Sequence, residues 1–194
     1  MRLTTCIVFS FLLVNVFCFG QKKQEREFRI DQEDLPQKII PILSDYLNTV
    51  KRLRFYKELD GEKSSYEVKF KKDKLFYSVE FDENGTLEDV EFIIKETAIP
   101  RVTLNTIKDH FSKTYGKFRI KKIQQQYLNN GTDTKAVLRK AFQNLLVPEI
   151  NYEIVIAVKD GEGYGEYEVT FDSDGQHLLT RKSIAPKYDH VLFQ

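Results

Sequence analysis

Apolar and polar residues alternate along most of this chain, and the alternation comes in blocks. Leu53 and Phe55, then Tyr66, Val68 and Phe70, then Tyr77, Val79 and Phe81, then Val90, Phe92 and Ile94 each occupy every second position. A period of two puts one set of side chains on one face of a strand, so these blocks predict four half-buried strands. The connections Asp60-Gly61, Lys72-Asp73-Lys74 and Asp82-Glu-Asn-Gly85 are rich in turn formers. Neighbouring strands should therefore pair as hairpins and build an antiparallel meander. Upstream, Ile39, Ile40, Leu43, Tyr46 and Leu47 form one helical stripe behind Pro36. Pro41 falls inside that stripe and predicts either a kink or a start one turn later. A sheet with one apolar face needs a cover, and this helix is the nearest candidate.

The pattern then recurs. Tyr77-Ser-Val-Glu-Phe81-Asp82-Glu-Asn-Gly85 aligns with Tyr167-Glu-Val-Thr-Phe171-Asp172-Ser-Asp-Gly175, and the matches fall on alternate apolar residues and on the turn. Tyr66-Glu67-Val68 has its counterpart in Tyr152-Glu153-Ile154, and Leu35-Pro36 in Ile99-Pro100, each pair preceding an amphipathic helical pattern. The second copy predicts a helix over Val102 to Thr114 and strands over Lys117 to Tyr127, Asn151 to Lys159, Tyr164 to Asp172 and Gln176 to Ile184. Its extra length lies mostly between Tyr127 and Tyr152, where Leu138, Ala141, Phe142 and Leu145 recur at helical spacing after a capped start at Gly131-Thr132. Val155 and Ala157 make the strand beside it apolar on both faces, and such a strand wants cover twice. The added helix is expected to pack there. The fold class is α+β: two tandem units, each a helix packed on a four-stranded antiparallel meander sheet, with an extra helix inserted in the second.

The start of the chain breaks the alternation. Arg2 is followed by an apolar run from Cys6 to Phe19, interrupted only by Ser10 and Asn15. The run is too short to span a bilayer, which needs about 20 apolar residues. With Cys18 and Gly20 near its end, it reads as a secretory signal cut after Gly20. A lipid anchor on Cys18 is the alternative, disfavoured because Phe17 precedes it where that chemistry prefers a small residue. The organisation is thus a signal peptide over 1–20, a polar and flexible lead-in over 21–34, a first unit over 35–96, a second over 97–185 with its inserted helix near 132–146, and a tail over 186–194.

Both cysteines, Cys6 and Cys18, lie in the leader. Stability must then come from the hydrophobic core, because no disulfide is available to the exported part. Losing Arg2 with the leader balances the basic residues against the 29 acidic ones. A global field for nucleic acid or an anionic membrane is absent from the sequence.

Candidate chemistry is sparse. Asp82 to Gly85 and Asp172 to Gly175 resemble fragments of calcium loops, but they lack the downstream glutamate and sit where turns want Asp, Asn and Gly. His110, His177 and His190 stand apart without ligand spacing. Gly161, Gly163 and Gly165 join two strands with no helix to hold phosphate. Arg52, Arg54, Lys69 and Lys71 point away from the predicted core, but Glu80, Asp89 and Glu91 share that face, and Lys69 could pair with Glu80. This is read as a mixed, solvated sheet face. Tyr56, Phe76 and Tyr164 are the aromatics placed on the outward side, and with the four basic residues they form the candidate contact surface.

Leu35-Pro36 and Ile99-Pro100 before helices, with Tyr77, Val79, Phe81, Asp82 and Gly85 and their counterparts Tyr167, Val169, Phe171, Asp172 and Gly175, give a pattern that resembles the PepSY-like exported proteins of Gram-negative bacteria. The resemblance covers Leu35 to Ile184. It implies a fold similar to that of the beta-lactamase inhibitor protein, whose tandem helix-on-sheet units grip an enzyme from outside, and it implies a role in modulating peptidases or other envelope proteins. The inserted helix departs from that pattern.

The missing catalytic set and the tandem sheets predict a non-enzymatic periplasmic or secreted module that binds a protein or peptide, using its outward sheet surfaces and the loops around Asp60, Lys72 and Gly163. Neither cofactor, metal, nucleic acid nor a membrane span in the exported part is expected. The alternative is a small-ligand carrier or sensor, with a pocket between the copies or under the added helix.

Overall fold

The computed structural model describes residues 21–183 except 24, 132 and 162. The leader, the tail and His190 lie outside the described residues. In chain order the strands are β1 (Gln21–Lys23), β2 (Glu25–Ile30), β3 (Lys51–Asp60), β4 (Lys63–Lys72), β5 (Leu75–Asp82), β6 (Leu87–Ile93), β7 (Phe118–Leu128), β8 (Ile150–Asp160), β9 (Gly163–Asp172) and β10 (His177–Ser183). Helix α1 (Ile39–Leu47) precedes β3, α2 (Arg101–Tyr115) precedes β7, and α3 (Thr134–Phe142) separates β7 from β8. The protein is α+β, as its alternation requires. None of the described helices is long and apolar enough to cross a membrane.

The four-stranded sheets expected for two separate units are one sheet. Strand β6 pairs with β7, with Val90 opposite Tyr127 and Phe92 opposite Gln125, and the whole runs β1-β10-β9-β8-β7-β6-β5-β4-β3-β2. Strands β2 to β10 are antiparallel along that order, while β1 lies parallel to β10. Most of the segment read as a flexible lead-in is therefore strand: Glu25 to Ile30 pairs with β3 from Asp60 to Phe55, and Gln32 to Asp34 form a short 3-10 turn.

Pairing at both ends dictates the shape. Strands β1 and β2 occupy opposite ends of the sheet order, yet one residue separates them in the chain. Successive Cα atoms are about 3.8 Å apart, so the two ends must meet and the sheet must curl around into a barrel-like form.

The helices cover the apolar outer face. Ile39 and Leu43 of α1, Ile107 and Phe111 of α2, and Leu138 and Ala141 of α3 are fully buried against Val79, Phe81, Phe92, Ile154 and Phe171 of the sheet. Pro41 stands in the first turn of α1, where its missing N–H has no intrahelical partner to lose. The helix thus starts late rather than kinking. In α3 the cap is Asp133, whose side chain accepts from the Lys135 N–H at 3.1 Å, not the Gly131-Thr132 pair expected.

Helix α3 does not cover Val155 and Ala157. It lies against β6 and β7 on the apolar face, and Phe142 stacks on Tyr46 of α1 at 4.4 Å between ring centroids and meets Tyr77 of β5 at 5.1 Å. An aromatic at the end of an inserted helix finds more apolar area beside other rings than on a strand face bearing Glu153 and Lys159.

Candidate functional site

Because side chains alternate, a sheet that buries Val68, Phe70, Val79 and Phe81 under helices must send Glu67, Lys69, Ser78 and Glu80 the other way. Closure turns that other face inward. Glu58, Glu67, Asp89, Glu91, Glu153 and Glu168 are all more than nine-tenths buried, so the face read as mixed and solvated is the polar lining of the curl. It holds a cavity of about 380 Å³ whose walls run from Glu25 and Glu27 on β2 to Glu153 on β8.

The lining is tied by cross-strand polar contacts. Lys69 Nζ lies 2.7 Å from Glu67 Oε2 and 2.9 Å from Glu27 Oε1, 5.0 Å from the centre of the Tyr56 ring. The expected Lys69–Glu80 pair is not formed, because the register sets Lys69 opposite Ser78 and Glu67 opposite Glu80. Ser78 donates its hydroxyl to Glu67. Glu91 accepts from the Gln124 amide and, at 2.9 Å, from Gln126. Gln126 also donates to Asp89 at 2.9 Å and accepts from Asn151 at 3.3 Å. At the far wall Arg181 donates from Nε to Glu168 at 3.0 Å and lies 3.9 Å from Glu153.

So many carboxyls in a small space hold on to protons. Burial first, then the charges of Glu67, Glu25 and Glu27, push Glu58 up to about 8. Burial raises Asp89 to about 7 against the opposing hydrogen bond from Gln126. Glu80 is also raised well above the usual carboxyl range by burial and by Asp89, Glu91, Glu58 and Glu67. Burial works against the charge of Lys69, but Glu67 and Glu27 outweigh it and hold the ammonium above its ordinary range.

Of the seven candidate contact residues, Arg52, Arg54, Tyr56, Lys69 and Phe76 are brought together on this cavity. Lys71 sits at its edge, with Nζ 5.1 Å from the centre of the Phe76 ring. Tyr164, 78% exposed, stands apart near the β8–β9 turn. The sequence reading missed the acidic members Glu25, Glu27, Glu58, Glu67 and Glu153, together with Gln124. For Glu58, Glu67, Glu153 and Gln124 the signal was available, since they occupy polar positions of alternating strands, whereas Glu25 and Glu27 lie on β2, which shows no such alternation.

The carboxylate oxygens of Glu27, Glu58 and Glu67 lie within 4.8 Å of one another, a spacing that could hold a metal ion. The ammonium of Lys69 already stands between two of them. Asp82 and Asp172 serve as turn caps: Asp82 Oδ1 accepts from the Asn84 and Thr86 N–H groups at 2.9 and 2.8 Å, and Asp172 Oδ1 from Asp174 and Gln176 at 3.0 and 2.8 Å. His110 and His177, distant in sequence, stack at 4.8 Å on the helix side of the sheet, away from the cavity. Of the two places the ligand-carrier alternative named, the cavity does not lie under α3, but its wall does draw on both copies, with Glu67 and Glu80 from the first and Lys122, Gln124 and Glu153 from the second.

No family model and no curated protein matches the chain. Solved structures do share its fold. A DUF2874 family protein from Bacteroides ovatus superposes with a TM-score of 0.51 at 13% identity, over 81% of this chain and 93% of that one. A protein from Bacteroides eggerthii described as periplasmic gives 0.50 at 10% identity, over 76% and 88%. A BLIP-like protein from Bacteroides fragilis gives 0.48 at 17% identity, over 76% and 86%.

Proposed function

We propose that the chain is an exported, non-enzymatic binding module of the PepSY-like and BLIP-like kind, which engages a protein or peptide of the cell envelope at the mouth of its acidic cavity. The observation that carries this reading is the clustering of Arg52, Arg54, Tyr56, Lys69 and Phe76 around one concave opening. Phe76 is 42% and Ile93 45% exposed at that opening, and an aromatic anchor flanked by arginines is the usual make-up of a contact centre. The leader and the periplasmic description of a structural neighbour support a place in the envelope. Both units follow one plan, helix then meander, with turns capped alike by Asp82 and Asp172, which supports a tandem origin.

Affinity capture from the producing cell, followed by mass spectrometry, tests the reading. The wild-type chain should retain a partner that the Phe76→Asp and Arg54→Glu variants lose. Equal recovery by all three would remove the cavity mouth from the interaction.

A second reading, a small-ligand carrier, is favoured by the cavity volume of about 380 Å³, within the range that small-molecule sites occupy. Native mass spectrometry of the protein purified from its own cell would then show a bound small molecule that is lost on denaturation.

A further inference from the structure

Seven glutamates and four basic residues line the cavity. The basic residues are unevenly placed. Arg52 and Arg54 are exposed at the mouth and Lys122 is half-buried on β7, whereas Glu58, Glu67, Glu91 and Glu153 are buried. The wall also shows what kind of guest its carboxylates accept. Lys69 presents a primary ammonium to Glu67 and Glu27 beside the Tyr56 ring, and beyond the cavity Arg181 presents a guanidinium to Glu168 and to Glu153, the latter a residue of the wall. Organic cations thus already meet the acidic lining from both sides.

Between those sides lies Glu80, in register between Glu67 on β4 and Asp89 on β6. Among the described residues no ion pair includes it. Close by, Gln124 commits its amide nitrogen to Glu91, which fixes its oxygen on the other side. That oxygen is buried and has no hydrogen-bond partner in a residue only 8% exposed. A buried acceptor left unmatched costs stability and marks a place for a donor from outside. Ammonium and guanidinium groups consist only of donors, three or five N–H bonds and no acceptor.

Resting on the binding-module reading above, the geometry points to a specific occupant: the side chain of a lysine or arginine of the partner, entering past Phe76 and Ile93 and placing its cationic head among Glu80, Glu91 and the Gln124 amide oxygen. The apolar rim suits the alkyl stem, which such side chains bury while the charge is solvated elsewhere. The carboxyl of Glu80, held protonated more readily than usual by burial and by Asp89, Glu91, Glu58 and Glu67, is then relieved by the arriving charge.

The test is calorimetric titration of the exported chain at pH 8 with capped Gly-Arg-Gly and Gly-Lys-Gly, with Gly-citrulline-Gly as the neutral isostere, spermidine as a free amine, and calcium chloride as the metal alone. The basic peptides are expected to bind at least tenfold more tightly than the citrulline peptide. Glu80→Gln and Gln124→Leu should each weaken them about tenfold, while Glu83→Gln, in the β5–β6 turn, should leave them unchanged. Equal binding of the citrulline peptide overturns the proposal. So does tighter binding of spermidine, which would make the guest a free amine, or displacement of the peptides by calcium, which would make the site a metal site. Absence of peptide binding, with partner capture still sensitive to Phe76→Asp, would sink this assignment and leave the binding-module reading standing.

Discussion

The Arg181 guanidinium on β10 lies 3.6 Å from the Asp60 carboxylate on β3, although those strands stand near opposite ends of the sheet order. One cation therefore stitches the seam of the curl from within, since the same side chain also holds Glu168 and approaches Glu153.

Arg181→Ala should accordingly cost about 2–4 kcal/mol, because removing one partner strands buried carboxylates. Arg181→Lys should recover only part of it, as a point charge cannot serve three carboxylates as a planar fork does. Urea denaturation of the three proteins checks this, and a loss below about 0.5 kcal/mol in the alanine variant, the size of an ordinary surface change, would mean that the seam is held elsewhere.

Phe142 pins α3 to α1 and the sheet through Tyr46, Phe70 and Tyr77. Truncating a half-buried aromatic in such a cluster should cost about 2–3 kcal/mol. Hydrogen exchange should show the loss of protection concentrated in α3 and β7. Uniform loss across the sheet would show instead that α3 does not unfold as a separate unit.

The turn glycines Gly85 and Gly175 both adopt positive φ, 75° and 84°, but their surroundings differ. A Cβ on Gly175 would meet the Thr103 carbonyl oxygen at 2.8 Å, whereas one on Gly85 would meet the Pro36 side chain at 3.0 Å. Gly175→Ala should thus be the more damaging of the two, each exceeding the roughly 1 kcal/mol of backbone strain alone. Comparison of the two midpoints in denaturant settles the order.

Stability should fall as the medium becomes alkaline. Glu58 titrates near 8 in the folded chain against 4.5 in its absence. Between those values the folded state keeps a proton that the unfolded chain has released. Its favourable contribution is complete below pH 4.5 and is lost as pH rises through about 8. Asp89, raised to about 7, acts with the same sign. The melting temperature should drop by on the order of 5 °C between pH 5 and pH 9, and Glu58→Gln should flatten that slope. An unaltered slope in the variant would assign the pH dependence to other groups.

The strands from β3 to β10 were legible, those from β4 to β9 because their apolar residues pack under helices, so that burial on one face writes a period of two into the sequence. The closure was not legible. In β2, Glu25 and Glu27 face the cavity while Phe28 is 48% exposed, so neither side carries the apolar alternation by which strands are recognised. The burial of Glu58, Glu67 and Glu91 was hidden for the same reason. Charged residues at alternate positions read as solvent-facing until a curl encloses them, and the curl depends on β1 and β2, the two strands with the weakest pattern. The placement of α3 failed differently: the pattern fixed which face of the helix is apolar, but Phe142 chose aromatic company on the opposite side of the sheet from Val155.

Since β1 and β10 are the first and last of the described strands and lie side by side, the ring cannot be joined until β10 has been made. The meander from β3 to β6 needs only local contacts and can form early, whereas the joint needs the longest loop closure among the described strands. A polypeptide lacking β10 would leave the ring open and its buried glutamates hydrated.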